Sequence, residues 1–154
     1  MGLPCLKALL PVVALTMACH ESIAPPKQPG LYVLETFNNQ PLPAVIHASG
    51  GDTTTLFFAS LFLDGAANAR IVTHSRRVSP ANPPRDATDT TRYSYRVVGD
   101  SIAFDYSPPC PINALCVAPP YGRVTSSTVT LYYTDGSPSK PTYFFRGIEL
   151  MPAL

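Results

Sequence analysis

The chain lacks most of the features from which an activity is usually read. It has no run of about 20 apolar residues, the length a helix needs to cross a bilayer. It has no basic stripe: 11 Lys and Arg face 10 Asp and Glu, and only 14% of its 154 residues are charged. A phosphate backbone would find nothing to bind, so nucleic acid is excluded as a partner. The nearest approach to a basic cluster, Arg76-Arg77, reads as a solvated strand end. There is no glycine-rich phosphate loop, no Cys-x-x-Cys and no Cys/His set at metal-ligand spacing. His20, His47 and His74 stand apart from any recognisable nucleophile, and Glu35, Asp105 and Glu149 read as solvated strand carboxylates. No enzyme, cofactor or metal site is expected. No segment sustains a helical period either.

What is there begins at the N-terminus. Lys7 precedes a short apolar run, Ala8–Leu15, which ends in Thr16-Met17-Ala18-Cys19. A basic start, an apolar stretch too short to span and a small residue before the cut form the layout of an export signal. Ala18-Cys19 resembles the end of the lipobox of bacterial lipoproteins, in which the cysteine receives the lipid, although Thr16 and Met17 depart from the usual residues. The alternative is simple cleavage after Ala18. The cysteines favour the anchor. Of Cys5, Cys19, Cys110 and Cys116, cleavage removes the first and leaves an odd number in an oxidising compartment. With Cys19 lipidated, Cys110 and Cys116 form a natural disulfide pair that pins a proline-rich loop.

The expected organisation is a signal peptide over 1–18, a lipidated tether over 19–29 and one domain over 30–150. Removing Lys7 leaves 10 basic against 10 acidic residues, a formally neutral exported chain. The expected location is the cell envelope, facing the periplasm or exterior. Since His20 stands where an Asp often retains such lipoproteins at the inner membrane, the outer membrane is the expected destination.

From Gly30 onward period-two alternation recurs between turn signals, which predicts an all-β domain. Strands are expected at 31–36, 42–47, 53–63, 69–78, 90–98, 101–106, 121–125, 128–134 and 141–148. Asp64-Gly65 and Gly99-Asp100 are hairpin turn pairs because glycine accepts positive φ. Two proline-rich stretches, Ser79–Asp89 and Ser107–Pro120, are expected as exposed loops. Consecutive hairpins give a meander, which closes into a barrel or folds into two packed sheets. Closure removes exposed edges and is the favoured outcome; a small β-sandwich is the alternative.

The succession YVLETFNNQPLP, LFLDG, YRVVGDSIAFDY, GRVTSSTVTLYYTDG and TYFFRG, over about Gly30 to Gly147, resembles the small lipocalin-like domains of bacterial secreted lipoproteins. The resemblance implies an eight-stranded up-and-down barrel. It carries no functional residue with it, and the Gly-x-Trp of true lipocalins is missing from a chain without tryptophan.

Alternation assigns an inward aromatic set: Phe57, Leu61, Tyr93, Tyr95, Phe104, Tyr106, Leu131, Tyr133 and Tyr143. An eight-stranded barrel is just wide enough to be filled by side chains or to hold one small ligand. Phe57, Tyr93, Tyr95, Phe104, Tyr106 and Tyr133 are therefore candidate contacts for a small, partly apolar ligand, with tyrosine hydroxyls as the polar groups. The alternative is a packed interior, with the protein acting as a structural or protein-interaction module. Buried tyrosines need hydrogen-bond partners, which counts toward a wet cavity.

Overall fold

Hydrophobic alternation becomes strand in every expected region and in one more. A computed structural model describes residues 29–113, 116–134 and 140–148, and its regular elements there are all strands. They are β1 (Gly30–Phe37), β2 (Gln40–Pro41), β3 (Ala44–Ser49), β4 (Asp52–Leu63), β5 (Asn68–Ser79), β6 (Asn82–Val98), β7 (Ser101–Tyr106), β8 (Tyr121–Val124), β9 (Thr128–Tyr132) and β10 (Thr142–Gly147). The signal peptide, Cys19, the tether up to Gln28, the turn at Asp135-Gly136-Ser137-Pro138 and Glu149 lie outside the described residues.

Each strand pairs antiparallel with its neighbour, and β1 pairs with both β10 and β4. That double pairing closes β1, β4, β5, β6, β7, β8, β9 and β10 into an eight-stranded up-and-down barrel, not a sandwich. β1 contacts only one half of β4, Gly30↔Leu63 to Val33↔Ser60; β3 takes over along the other half, from Ala44↔Leu56 to Ser49↔Asp52. Register shifts at Leu34/Thr36, Val45/His47 and Leu56/Phe58 flank this hand-over. Bulges bend and twist a strand locally, which lets β1 curl toward β10 while β3 to β6 run on as an arm beyond the barrel.

The arm corrects one sequence expectation. Ser79–Asp89 is not a loop: β6 begins at Asn82 and pairs with β5 back to Ser79. Pro83 and Pro84 are tolerated because they sit at a register shift and because β6 has no second partner until Tyr93 meets Tyr106. The polarity of one strand face marks where the barrel ends. On β5 the face that is apolar at Ala69 and Ile71 becomes Thr73, Ser75 and Arg77; on β6, Tyr93 and Tyr95 give way to Thr91, Asp89 and Arg85.

The inward face is one cluster. Tyr32, Leu34, Leu61, Leu63, Ile71, Tyr95, Ile102, Phe104, Val129, Leu131 and Phe145 are all buried within it, and Leu61, Leu63, Val129 and Leu131 are 0% exposed. Burying each such side chain contributes roughly 1.5–3 kcal/mol. Phe57 does not belong to it. The bulge at Leu56/Phe58 puts two residues opposite one and reverses the alternation, so Leu56 is buried while Phe57 and Phe58 both point outward, 41% and 42% exposed.

The tight turns follow their chemistry with one exception. Gly99 has φ 64° between β6 and β7, as a two-residue hairpin requires. In the β4–β5 connection the left-handed residue is Ala67 (φ 63°), not Gly65, because Asp64 organises a longer turn by accepting hydrogen bonds from the Ala66 and Asn68 amides. Gly122 is needed for closeness, since a Cβ there would lie 1.8 Å from the Thr130 carbonyl oxygen on β9.

Two opposite effects follow. Gly122→Ala is expected to lose about 3 kcal/mol or more, because the clash is with backbone in a closed barrel. Ala67→Gly is expected to gain about 0.5–1 kcal/mol by relieving left-handed strain. Urea denaturation of both variants checks the pair of signs.

Candidate functional site

The inward tyrosines gather at two ends of the barrel. One end holds the start of β1 and the connections 64–67, 99–100 and 125–127; the other holds the stretch 107–120 and the start of β10. At the second end Tyr93 lies 5.6 Å from Phe104 and 5.2 Å from Tyr106, ring centre to ring centre. Tyr143 lies 4.8 Å from Tyr133 and 4.9 Å from Phe37. These rings plug the mouth. At the first end Tyr95 packs 6.2 Å from Phe104, and its hydroxyl donates to the Asp64 carbonyl at 2.6 Å.

The hydroxyls at this end lie close together. Tyr106 donates to the Val117 carbonyl at 2.9 Å. Tyr93 lies among Thr91, Tyr106 and Tyr133, each of which acts on its hydroxyl. Among the described residues no buried side-chain polar atom is left without a partner. The polar demand that suggested a wet cavity is met by protein groups.

This burial is visible in the acidities. Tyr93 is pushed up to about 12, first by burial and then by the neighbouring Tyr106. Burial also pushes Tyr95 up to about 12, with the Asp64 carboxylate and Tyr32 adding to it. Tyr133 is held well above the ordinary phenol, by burial first and by Tyr93, Tyr143 and Tyr106 after it.

So of the six candidate ligand contacts, Tyr93, Phe104, Tyr106 and Tyr133 form one aromatic plug, Tyr95 packs behind it, and Phe57 is on the outer wall. The Cys110–Cys116 disulfide is formed, with Cα atoms 6.3 Å apart, in the stretch that accepts the Tyr106 hydroxyl. Ile112 within it is fully exposed and Val117 half exposed.

Glu35 pairs with Arg146 and Asp105 with Arg96 on the exterior, while His74 shares a 3.2 Å contact with Thr88. Among the described residues no three of His, Cys, Asp and Glu come together as a metal-binding group.

The outer wall carries the feature that sequence reasoning missed. A groove of about 310 Å³ lies along β4, β5 and β6, lined by Phe62, Asp64, Asn68, Arg70, Arg92 and Ser107 among others. Phe62, Arg70 and Arg92 are consecutive cross-strand neighbours (Phe62↔Arg70, Arg70↔Arg92), and the Arg70 guanidinium sits 6.0 Å above the Phe62 ring. Only the register brings residues 70 and 92 together, and register is not written in either segment alone.

The raised phenols predict where alkaline stability fails. A folded-state pKa above the unfolded value contributes stability that is complete below the unfolded pKa and lost as pH rises through the folded one. Tyr93 and Tyr95 move from 10.0 to about 12, so destabilisation is expected between these values. Tyrosinate absorbance should lag in this interval and rise together with loss of the strand circular dichroism; independent titration of all phenols below pH 10 would contradict this burial.

Comparison with known proteins finds no matching family model, no matching curated protein and no matching solved structure, so the functional reading rests on this geometry.

Proposed function

We propose that this protein is an exported cell-envelope lipoprotein, anchored through Cys19, whose packed barrel is a scaffold for interactions made on its surface. The observation that carries this reading is the interior. Buried side chains from all eight barrel strands meet in one cluster, and its tyrosine hydroxyls are already bonded to protein. A container for a small apolar ligand needs a mouth, and here the Tyr106 hydroxyl is tied to the stapled stretch beside it. The alternative reading of a ligand held inside would require the rings packed around Tyr93 and Tyr106 to part.

Ile112 and Val117 supply the surface. Exposed apolar side chains on a segment closed by a disulfide are a contact for a partner protein in the envelope, because the cross-link limits the conformational freedom to be lost on docking. The disulfide and the Tyr106 bond both act in that direction. Among the described residues Glu35, Asp105 and His74 each face another side chain on the exterior, and the reading is of a binding protein.

Mass spectrometry of the purified native protein tests both halves. The expected species is residues 19–154 plus a lipid on Cys19, with no other small molecule. Cys19→Ala is expected to move the protein from the membrane fraction to the soluble one. An unmodified Cys19 overturns the anchor; a stoichiometric co-purified ligand, released by Tyr133→Leu but not by Ile112→Asp, overturns the packed scaffold.

A further inference from the structure

Of the eight arginines of the described residues, five sit beside a carboxylate and three, Arg70, Arg85 and Arg92, have no ion pair; Arg85 lies across from Arg77, which Asp52 neutralises. Arg76, Arg77, Arg96, Arg123 and Arg146 each face a carboxylate: Asp86, Asp52, Asp105, Asp100 and Glu35 in turn. Arg70 and Arg92 face each other. They are direct cross-strand neighbours on β5 and β6 and have no ion pair among the described residues. Like charges directly opposite on a sheet are destabilising, so this pairing opposes folding. Asp64 on the same groove forms no ion pair with either arginine. One of its carboxylate oxygens accepts from the Ala66 and Asn68 amides and the other from the Asn68 side chain, and these bonds, the Asn68 side chain first, hold its pKa below that of an ordinary carboxylate. Phe62 forms an apolar wall beside the two guanidiniums, 41% exposed.

We propose that this groove is a binding site for an anionic amphiphile. An oxyanion headgroup, phosphate or carboxylate, sits between Arg70 and Arg92, and its apolar remainder lies along Phe62. Two guanidiniums give such a group charge-assisted hydrogen bonds in fork geometry, and the mutual repulsion of the arginines disappears when it binds. The volume suits one headgroup with the first part of a chain. The site also lies next to the place where the chain joins the barrel, since Leu31 of β1 pairs with Phe62. Ten residues of tether extend at most about 36 Å. On the reading of Cys19 as anchor, the groove would therefore be held within reach of lipid headgroups, although the chemistry of the site does not depend on that reading.

The test uses the full exported chain carrying Cys19→Ala, so that no anchor contributes. Calorimetric titration with monomeric dodecyl phosphate is expected to show one site, and dodecyltrimethylammonium of equal chain length none. The double variant Arg70→Gln/Arg92→Gln should weaken binding by about 10- to 100-fold, while Arg96→Gln, which removes an exposed pair elsewhere, leaves it unchanged. In the absence of ligand the single variant Arg92→Gln should melt at a slightly higher temperature than wild type. If a variant fails to fold, the Nε–H signals of Arg70 and Arg92 in wild-type protein still report, because dodecyl phosphate must shift those two and not Arg96. Sedimentation with phosphatidylcholine vesicles, with and without phosphatidylglycerol, separates the sources: capture by anionic vesicles assigns a membrane headgroup, and binding of dodecyl phosphate alone assigns a free amphiphile. Equal affinity for the cationic amphiphile, undiminished binding in the double variant, or no binding of either probe overturns the site.

Discussion

Besides the two-residue β2, β1 pairs with two barrel strands, and the architecture depends on this. Along one edge it pairs with β10 over most of its length; along the other, four residues from Gly30 to Val33 pair with the end of β4. Remove that short ladder and the same strands form an open sheet with two long free edges and an apolar face turned to water. The ladder is short because β4 must also serve β3, and the three bulges around Leu34, Val45 and Leu56 reconcile the two demands. Each adds local twist, and together they let the sheet close on one side while it continues as an arm on the other.

Closure at eight strands leaves an interior of fixed width, and tyrosine is an awkward residue with which to fill it. The ring contributes a large buried area, but the hydroxyl must find a partner or its desolvation costs about 1–3 kcal/mol. Here the hydroxyls are led to the two ends, where main-chain carbonyls are free to accept: Asp64 at one end and Val117 at the other. The rings can then pack as if they were phenylalanine. A ligand cavity would need the opposite arrangement, with hydroxyls directed toward a central space. With acceptors placed at the mouths, the buried polar atoms among the described residues all have partners, which is the ground for reading the barrel as a scaffold.

The sequence conveyed the strands better than their relations. Alternation in RYSYRVV and SIAFDY assigned Tyr93, Tyr95, Phe104 and Tyr106 to the interior correctly, because each of these strands keeps one unbroken register against its neighbour. Alternation failed for Phe57, because nothing in LFFAS distinguishes a strand with an extra residue from one without it. It failed for Asn82–Asp89 for another reason: three prolines in SPANPPRDATD argue against a central strand, and this segment is an edge. The turn at Ala67 was hidden behind the stronger local signal of Asp64-Gly65. Arg70 and Arg92 were invisible as a pair, being 22 positions apart in the chain and adjacent only through the β5–β6 register.

The distribution of polarity on the arm then locates the active surface of the molecule. Beyond the barrel the formerly inward faces of β5 and β6 become mostly Thr, Ser, Arg and Asp, with Ala87 among them, so past Leu56 the arm carries little apolar surface on that side. The outward face of β4 runs the other way: Phe57, Phe58 and Phe62 remain partly exposed, with Arg76 5.7 Å above Phe57 and Arg70 above Phe62. A sheet that needed only solubility would carry its polar residues outside and its aromatics inside along its whole length. Stacked arginines shield part of each ring, and Asp86 neutralises Arg76, so the arm end of this wall is electrostatically complete. At the Phe62 end no carboxylate among the described residues ion-pairs with Arg70. The wall is thus satisfied at one end and open at the other, and the open end is the groove in which two like charges face each other across a ladder.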